Sequence, residues 1–230
     1  MDGILQAGNK IDVQYEFSYN FINFMEETSK KQQILQDLKR FILSKTSIVY
    51  IQSDEEDRVE GLLKELSATF QPKPKLFTWS PFHGLTGENE KIENSKNPVE
   101  ALDKVIHSTE QALYLFEGLH PFLSTDPSVP RKLKDLHRSL RNRYATLFIL
   151  APVLVVPPEL KRDMMVYELP MPDATEVERT LMGIVSGSPQ AAKLTESLTP
   201  ELKDRMVKAA LGLSLDQVAR AFRSALIGKT

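Results

Sequence analysis

No cysteine occurs in the 230 residues. Disulfides, thiolate metal sites and cysteine nucleophiles are therefore excluded, and the chain suits a reducing compartment. Charge of neither sign dominates. With 29 Lys and Arg against 31 Asp and Glu, the formal net charge is −2, so no global field draws the molecule to nucleic acid or anionic lipid, and any such binding must come from a local patch. The opening MDGILQAGNK lacks a basic segment followed by an apolar stretch, which predicts no secretory signal and a cytoplasmic setting. No apolar run reaches bilayer-spanning length; the longest, "ATLFILAPVLVVPP" from Ala145, is broken by its prolines. His83, His107, His120 and His137 show no spacing of paired metal ligands, so no metal site is expected. No internal repeat or low-complexity segment is present. What is there, 41% hydrophobic and 26% charged residues, describes an ordinary globular chain of one core domain with a small appendage.

Helical and strand patterns then alternate along the chain. Ile34, Leu35, Leu38, Phe41 and Ile42 recur at helical spacing before the apolar "SIVYIQ". Val59, Leu62, Leu63, Leu66 and Phe70 mark the next helix, and "LFTW" a second strand. Asn97 is a good N-cap for a helix with Pro98 in its first turn, and Glu100 is placed to close a capping box. "ALYLF", "ATLFIL" and "MMVYEL" are the third to fifth strands, with a helix carrying Leu133, Leu136 and Leu140 between the first two. Continuous apolar runs suit a sheet buried on both faces, in a three-layer α/β sandwich. The segment "SPFHGLTGENEKIENSKNP" reads as a long, charged, mobile loop. After Pro170 the strand pattern stops. Three amphipathic helical segments follow, with start signals at Asp173, Thr199 and Ser214, the last forming an S-x-x-Q capping box with Gln217.

A mainly parallel five-stranded α/β core followed by a small helical bundle is the layout of AAA+ ATPases. The chain divides on this reading into an N-terminal extension (1–29), a core (30–170) and a helical lid (171–230). "PPELKRDMMVYELPMPDATEVERTL" looks like the AAA+ passage from core to lid, and "AALGLSLDQVARAFRSAL" like a lid helix pair. With "NPVEALDKVI", "RKLKDLHRSL" and "LFILAPVLVVPPEL", they resemble the N-terminal half of the plastid and cyanobacterial AAA-family proteins named hypothetical chloroplast open reading frame. The resemblance covers roughly residues 30 to 228. It implies a P-loop-NTPase-like fold and a degenerate module that precedes a second module bearing the working nucleotide site. It also implies a cytoplasmic or plastid stromal setting and membership of an oligomer or complex.

The chemistry expected of that layout is missing. A phosphate loop needs G-x-x-x-x-G-K-[ST] between the first strand and the next helix. Here the junction reads "IQSDEEDRVEGLL", with no glycine before Gly61, no lysine, and four consecutive acids, Asp54 to Asp57. Such acids repel a triphosphate and suit a helix N-terminus, where the macrodipole favours them, with magnesium or calcium binding as the alternative. The C-terminal "RSALIGKT" mimics a phosphate loop, but Arg223 stands at its first glycine position and the segment continues an amphipathic helix. Where a magnesium-binding acid pair would follow the third strand, the chain has Glu117 and Gly118. Where a polar sensor would follow the fourth, it has Ala151 and Pro152. A Glu117–His120 hydrolytic pair would lack any nucleophile placed by a motif. The chain alone is thus expected to be a catalytically silent AAA+ ATPase-like module and an interaction domain. ATP and magnesium would be held only by a partner module. The alternatives are an ATPase with an atypical site and a nucleic-acid-binding module.

Three surface features carry the interaction hypotheses. Arg131, Lys134, Arg138 and Arg141 lie on one side of a helix, as a solvated face or as a docking surface for an acidic partner or nucleic acid. "VQYEFSYNF" alternates strictly, with Tyr15, Phe17, Tyr19 and Phe21 on one face, as an added edge strand or an interface strand. The third feature rests on the AAA+ resemblance, which implies that residues just before the fifth strand face a neighbouring module and lend it a cation. That places Arg162, and less aptly Lys161, as trans-acting groups, with a surface pair beside Glu159 and Asp163 as the plain alternative.

Overall fold

A computed structural model describes residues 30–227. Helix α1 (Lys30–Leu43) buries Ile34, Leu38 and Ile42, one residue per turn along a single stripe. Strand β1 (Ile48–Gln52) leads into α2 (Glu56–Ser67). β2 (Lys75–Ser80), β3 (Gly84–Thr86), α3 (Pro98–His107) and β4 (Ala112–Glu117) follow. The short α4 (Phe122–Thr125), then α5 (Ser128–Leu140) and β5 (Ala145–Ala151), lead to a 3₁₀ turn (Pro158–Leu160) and β6 (Met164–Glu168).

These strands form one sheet in the order β3-β2-β4-β5-β1-β6. Every pairing is parallel except that of β3 with β2. Because β1, β4 and β5 are central, they are covered on both faces, and β5 is buried at every position. One face packs Tyr50, Phe77, Trp79, Phe116 and Phe148's neighbours Leu147 and Ile149 against α3 and α5. The other packs Val49, Ile51, Leu113, Leu115 and Phe148 against α1 and α2. A three-layer α/β sandwich results.

The sixth strand corrects the expectation of a five-stranded sheet and of a mobile loop after β2. Gly84 holds φ +76°, and a Cβ there would meet Ser95 Oγ at 2.8 Å, so only glycine lets the chain turn back. The return is fixed from inside: buried Trp79 donates Nε1–H to the carbonyl of Ser95 (2.6 Å), and Ser95 Oγ accepts from Leu85 N (2.8 Å). Short strands without a long apolar run leave little trace in a sequence; here one glycine, one serine and one tryptophan make the hairpin.

Helices α6 (Ala174–Ser186), α7 (Ala191–Ser197), α8 (Pro200–Ala209) and α9 (Leu215–Ile227) complete the described residues. No strand occurs among them. Val177, Leu181, Val185, Val207, Val218 and Phe222 form their shared core. α7 adds a fourth helix to the three expected. It buries no residue fully and offers only Leu194, with Leu198 just beyond, to that core, too sparse a pattern to read. The caps follow the sequence signals. Asp173 Oδ1 accepts from Glu176 N (2.9 Å), Thr199 Oγ1 from Leu202 N (3.3 Å), and Ser214 and Gln217 exchange reciprocal bonds. Asn97 caps α3 by accepting from Val99 N and Glu100 N, but the Glu100 side chain returns no bond, so the expected box is half made.

Candidate functional site

Ligands of open α/β sheets bind beyond the carboxyl ends of the strands. At that end the β1–α2 junction, the ends of β4 and β5, and the first turns of α6 and α9 converge. The junction is a tight turn: Ser53 N donates to the Ala151 carbonyl (2.9 Å), and Ser53 Oγ accepts from Glu55 N (3.1 Å). Glu55 occupies the N-cap position of α2, yet its carboxylate makes no capping bond there. It turns across to the helical subdomain instead. One oxygen accepts from Leu215 N at the start of α9 (2.6 Å), the other from Arg58 Nη1 (2.7 Å). Arg58 also grips Glu176, in the first turn of α6, through Nε (3.2 Å) and Nη2 (2.9 Å), and gives Nη1 to the Pro170 carbonyl (2.8 Å).

The side chains of Arg58, Glu55 and Glu176 are only 4%, 5% and 6% exposed. Two carboxylates share one buried guanidinium, with helix N-termini supplying further partial positive charge. The Arg58 cation and the α9 amide, both groups able to hold a phosphate, are already taken by carboxylates. Beside the network lies a cleft of about 240 Å³ lined by Lys31, Asp57, Arg58, Glu176, Arg179 and Leu215. It is smaller than the roughly 300–1,000 Å³ of ordinary small-molecule sites. Larger clefts of about 560 and 830 Å³ lie around β2 and β3, away from this junction.

Glu117 ends β4 half-buried, its pKa pushed up to about 7 by burial and then by the nearby Glu56, Glu60 and Asp57. Among the described residues no cation pairs with it, and no group of three or more acids or histidines is arranged to hold a metal. The buried Nδ1 atoms of His120 and His137 have no hydrogen-bond partner among the described residues. After β5, Ala151 and Pro152 present no polar side chain. The following turn is pinned by Tyr50, whose hydroxyl donates to the Val153 carbonyl (2.6 Å) and accepts from Val155 N (3.2 Å). Burial raises the pKa of that phenol, keeping it a donor.

The other sequence-picked residues scatter. On α5, Arg131 and Arg138 both approach Asp135 (3.1 and 3.8 Å), and Lys134 pairs with Asp163 (3.3 Å). Arg141, the α5 C-cap, stays exposed and unpaired among the described residues. Leu133, Leu136 and Leu140 face the core as expected. Lys161 and Arg162 are exposed between the 3₁₀ turn and β6. Neither forms an ion pair with a described residue, because Asp163 is engaged by Lys134 and approached by His137 Nε2 (3.8 Å). Tyr15, Phe17, Tyr19 and Phe21 lie outside the described residues, as do Gly228, Lys229 and Thr230. Arg223 sits in α9, so the last residues described continue a helix rather than leave a strand.

Arg58 and Glu176 were not singled out by sequence reasoning. One arginine inside "DEEDRVEG" is the only local signal, and its partner lies 118 residues away.

Residues 34–169 match the family model described as SpoVK-like AAA ATPase, N-terminal domain. The uncharacterized AAA domain-containing protein ycf46 of Guillardia theta is 31% identical over 189 residues, 81% of this chain and 36% of that protein. The ycf46 of Trieres chinensis is 30% identical over 177 residues, 75% of this chain and 34% of that protein. The chain thus spans about a third of the length of these relatives. Among solved structures, a katanin chain from a study of katanin self-assembly superposes with a TM-score of 0.54 at 13% identity, covering 84% of this chain and 68% of the katanin chain. The fold is that of AAA+ ATPases. No described helix is long and apolar enough to cross a membrane.

Proposed function

The chain belongs to the SpoVK-like AAA ATPase N-terminal domain family, and from that premise we propose that this module is catalytically silent, an AAA+ ATPase-like structural and interaction domain that works beside an active ATPase module. The observation that carries the reading is the buried Glu55–Arg58–Glu176 network, which reaches the α9 amide from the junction where a phosphate loop would stand. A triphosphate entering there would have to displace two carboxylates and face the acids of the α2 N-terminus. The β1–α2 junction itself offers neither a lysine nor a glycine-rich turn to receive it. ATP and magnesium then belong to the partner module. The likeness to a self-assembling katanin supports a place in an oligomer or complex. Calorimetric titration of the chain with Mg·ATP is expected to give no binding heat, and affinity in the low micromolar range would overturn the reading.

A further inference from the structure

The sheet has two edges, and they differ. β3 is short and folds back on its own loop through the Thr86–Lys91 bridge, whereas β6 pairs with β1 on one side and with no described segment on the other. Leu169 N donates to the Gln52 carbonyl, so by strand alternation the N–H groups of Met165 and Tyr167 also point to β1, and those of Val166 and Glu168 point outward. Apolar surface accompanies this free edge: Met165 is 46% and Val166 42% exposed, although the strand belongs to a sheet buried elsewhere. A flat, apolar, unpaired edge is a template for another strand.

We propose that the outer edge of β6 receives this chain's own Val13–Phe21 as an added parallel strand. Where the chain enters the described fold favours that occupant. Lys30 N donates to Asp173 Oδ2 (2.9 Å), so the segment before α1 arrives beside the chain just beyond the carboxyl end of β6. α1 then runs back over β6, its Phe41 ring meeting Tyr167 edge-on at 5.7 Å and its Asp37 accepting from the Tyr167 hydroxyl. A strand parallel to β6 ends at the same carboxyl end, and residues 22–29, with a reach of about 3.3 Å each, suffice to climb onto the α1 layer.

Topology agrees. The β1–α2–β2 connection moves across the sheet from β6 toward β3 with its helix on the Val49 face, while β2–α3–β4 and β4–α5–β5 move the opposite way with helices on the Tyr50 face. A strand outside β6, followed by α1 on the Val49 face and then β1, repeats the sense of β1–α2–β2. A single crossover hand is nearly universal in such sheets. The side-chain pattern fits as well. An edge strand covered by α1 on one face needs one apolar face, supplied by Tyr15, Phe17, Tyr19 and Phe21, against a polar one, supplied by Gln14, Glu16, Ser18 and Asn20.

Hydrogen–deuterium exchange on the full chain tests this, read at the Val166 and Glu168 amides. In the parent they are expected to exchange at least tenfold slower than in the Phe17→Asp/Tyr19→Asp variant, while the β1 amides stay equally protected in both. Equal, fast exchange at Val166 and Glu168 in both proteins would overturn the proposal. Because the chain has no native cysteine, Met165→Cys combined in turn with Tyr15→Cys, Phe17→Cys or Tyr19→Cys gives a second readout. At least one pair is expected to oxidise to an intramolecular disulfide. Cross-links only between chains would assign the edge to a second copy and overturn the proposal, as would no intramolecular disulfide in any pair.

Discussion

Glu117 is a carboxyl whose surroundings oppose its charge. It stands at the end of a central strand, where burial and three neighbouring acids raise its pKa from 4.5 to about 7. A carboxyl raised in the folded state binds a proton there at a pH where the unfolded chain has released it. Its contribution to stability is therefore fully present below pH 4.5 and is lost as pH rises through about 7. Glu117→Gln keeps the shape and removes the charge. Discounted for partial solvent screening, its gain in stability at pH 8 is expected to be about 1 to 2 kcal/mol, shrinking to nothing near pH 4. Urea unfolding followed by the fluorescence of Trp79, the single, fully buried tryptophan, measures both. An equal effect at the two pH values would mean that packing, not charge, dominates at this site.

At the scale of elements, the described helices and strands follow from local pattern more readily than the contacts between them. Apolar runs marked β1, β2, β4, β5 and β6, and N-caps at Asn97, Asp173, Thr199 and Ser214 marked helix starts, because propensity and capping act within a few residues. β3 and α7 escaped because their stabilising partners, Ser95 in one case and a mainly distant helical core in the other, are not implied by the residues beside them. The same limit hid the junction among α2, α6 and α9: the four acids were visible, but not that Glu55 would turn from its own helix to the amide of Leu215, 160 positions on. That junction has a measurable consequence. Arg58→Met leaves two carboxylates buried without their cation and is expected to lower stability by about 3 to 5 kcal/mol. Replacing Glu176 by leucine in the same chain removes one of the orphaned charges and should recover part of the loss. Denaturant titration of the single and double variants checks this, and a single-variant loss below 1 kcal/mol would mean that water already screens the network.

Across the whole molecule, the positive charges divide into those already engaged and those left free. On the basic side of α5, which the sequence offers as a docking face, Arg131 and Arg138 share Asp135 and Lys134 pairs with Asp163, while Arg141 has no ion-pair partner among the described residues. Arg162 is the contrasting case. It lies in the passage from β5 to β6, exposed, with the acid beside it committed to Lys134 and approached by His137. An arginine exposed just before a sheet strand and unpaired among the described residues is suited to meet an anion brought by another module. Its planar fork can contact two phosphate oxygens at once, which Lys161 cannot. In the proposed assembly with an active ATPase module, Arg162 would stabilise charge developing on the partner's γ-phosphate; a comparable arginine acting in trans on GTPases is worth roughly 10³ to 10⁵ in rate. Arg162→Ala in the complete assembly is therefore expected to lower ATP turnover at least tenfold while leaving nucleotide affinity and assembly mass unchanged. Arg162→Lys should restore only a minor part, since charge without the fork supplies one contact. If turnover is untouched in both variants, the module acts on its partner through shape alone, and the free arginine is a solvated surface group.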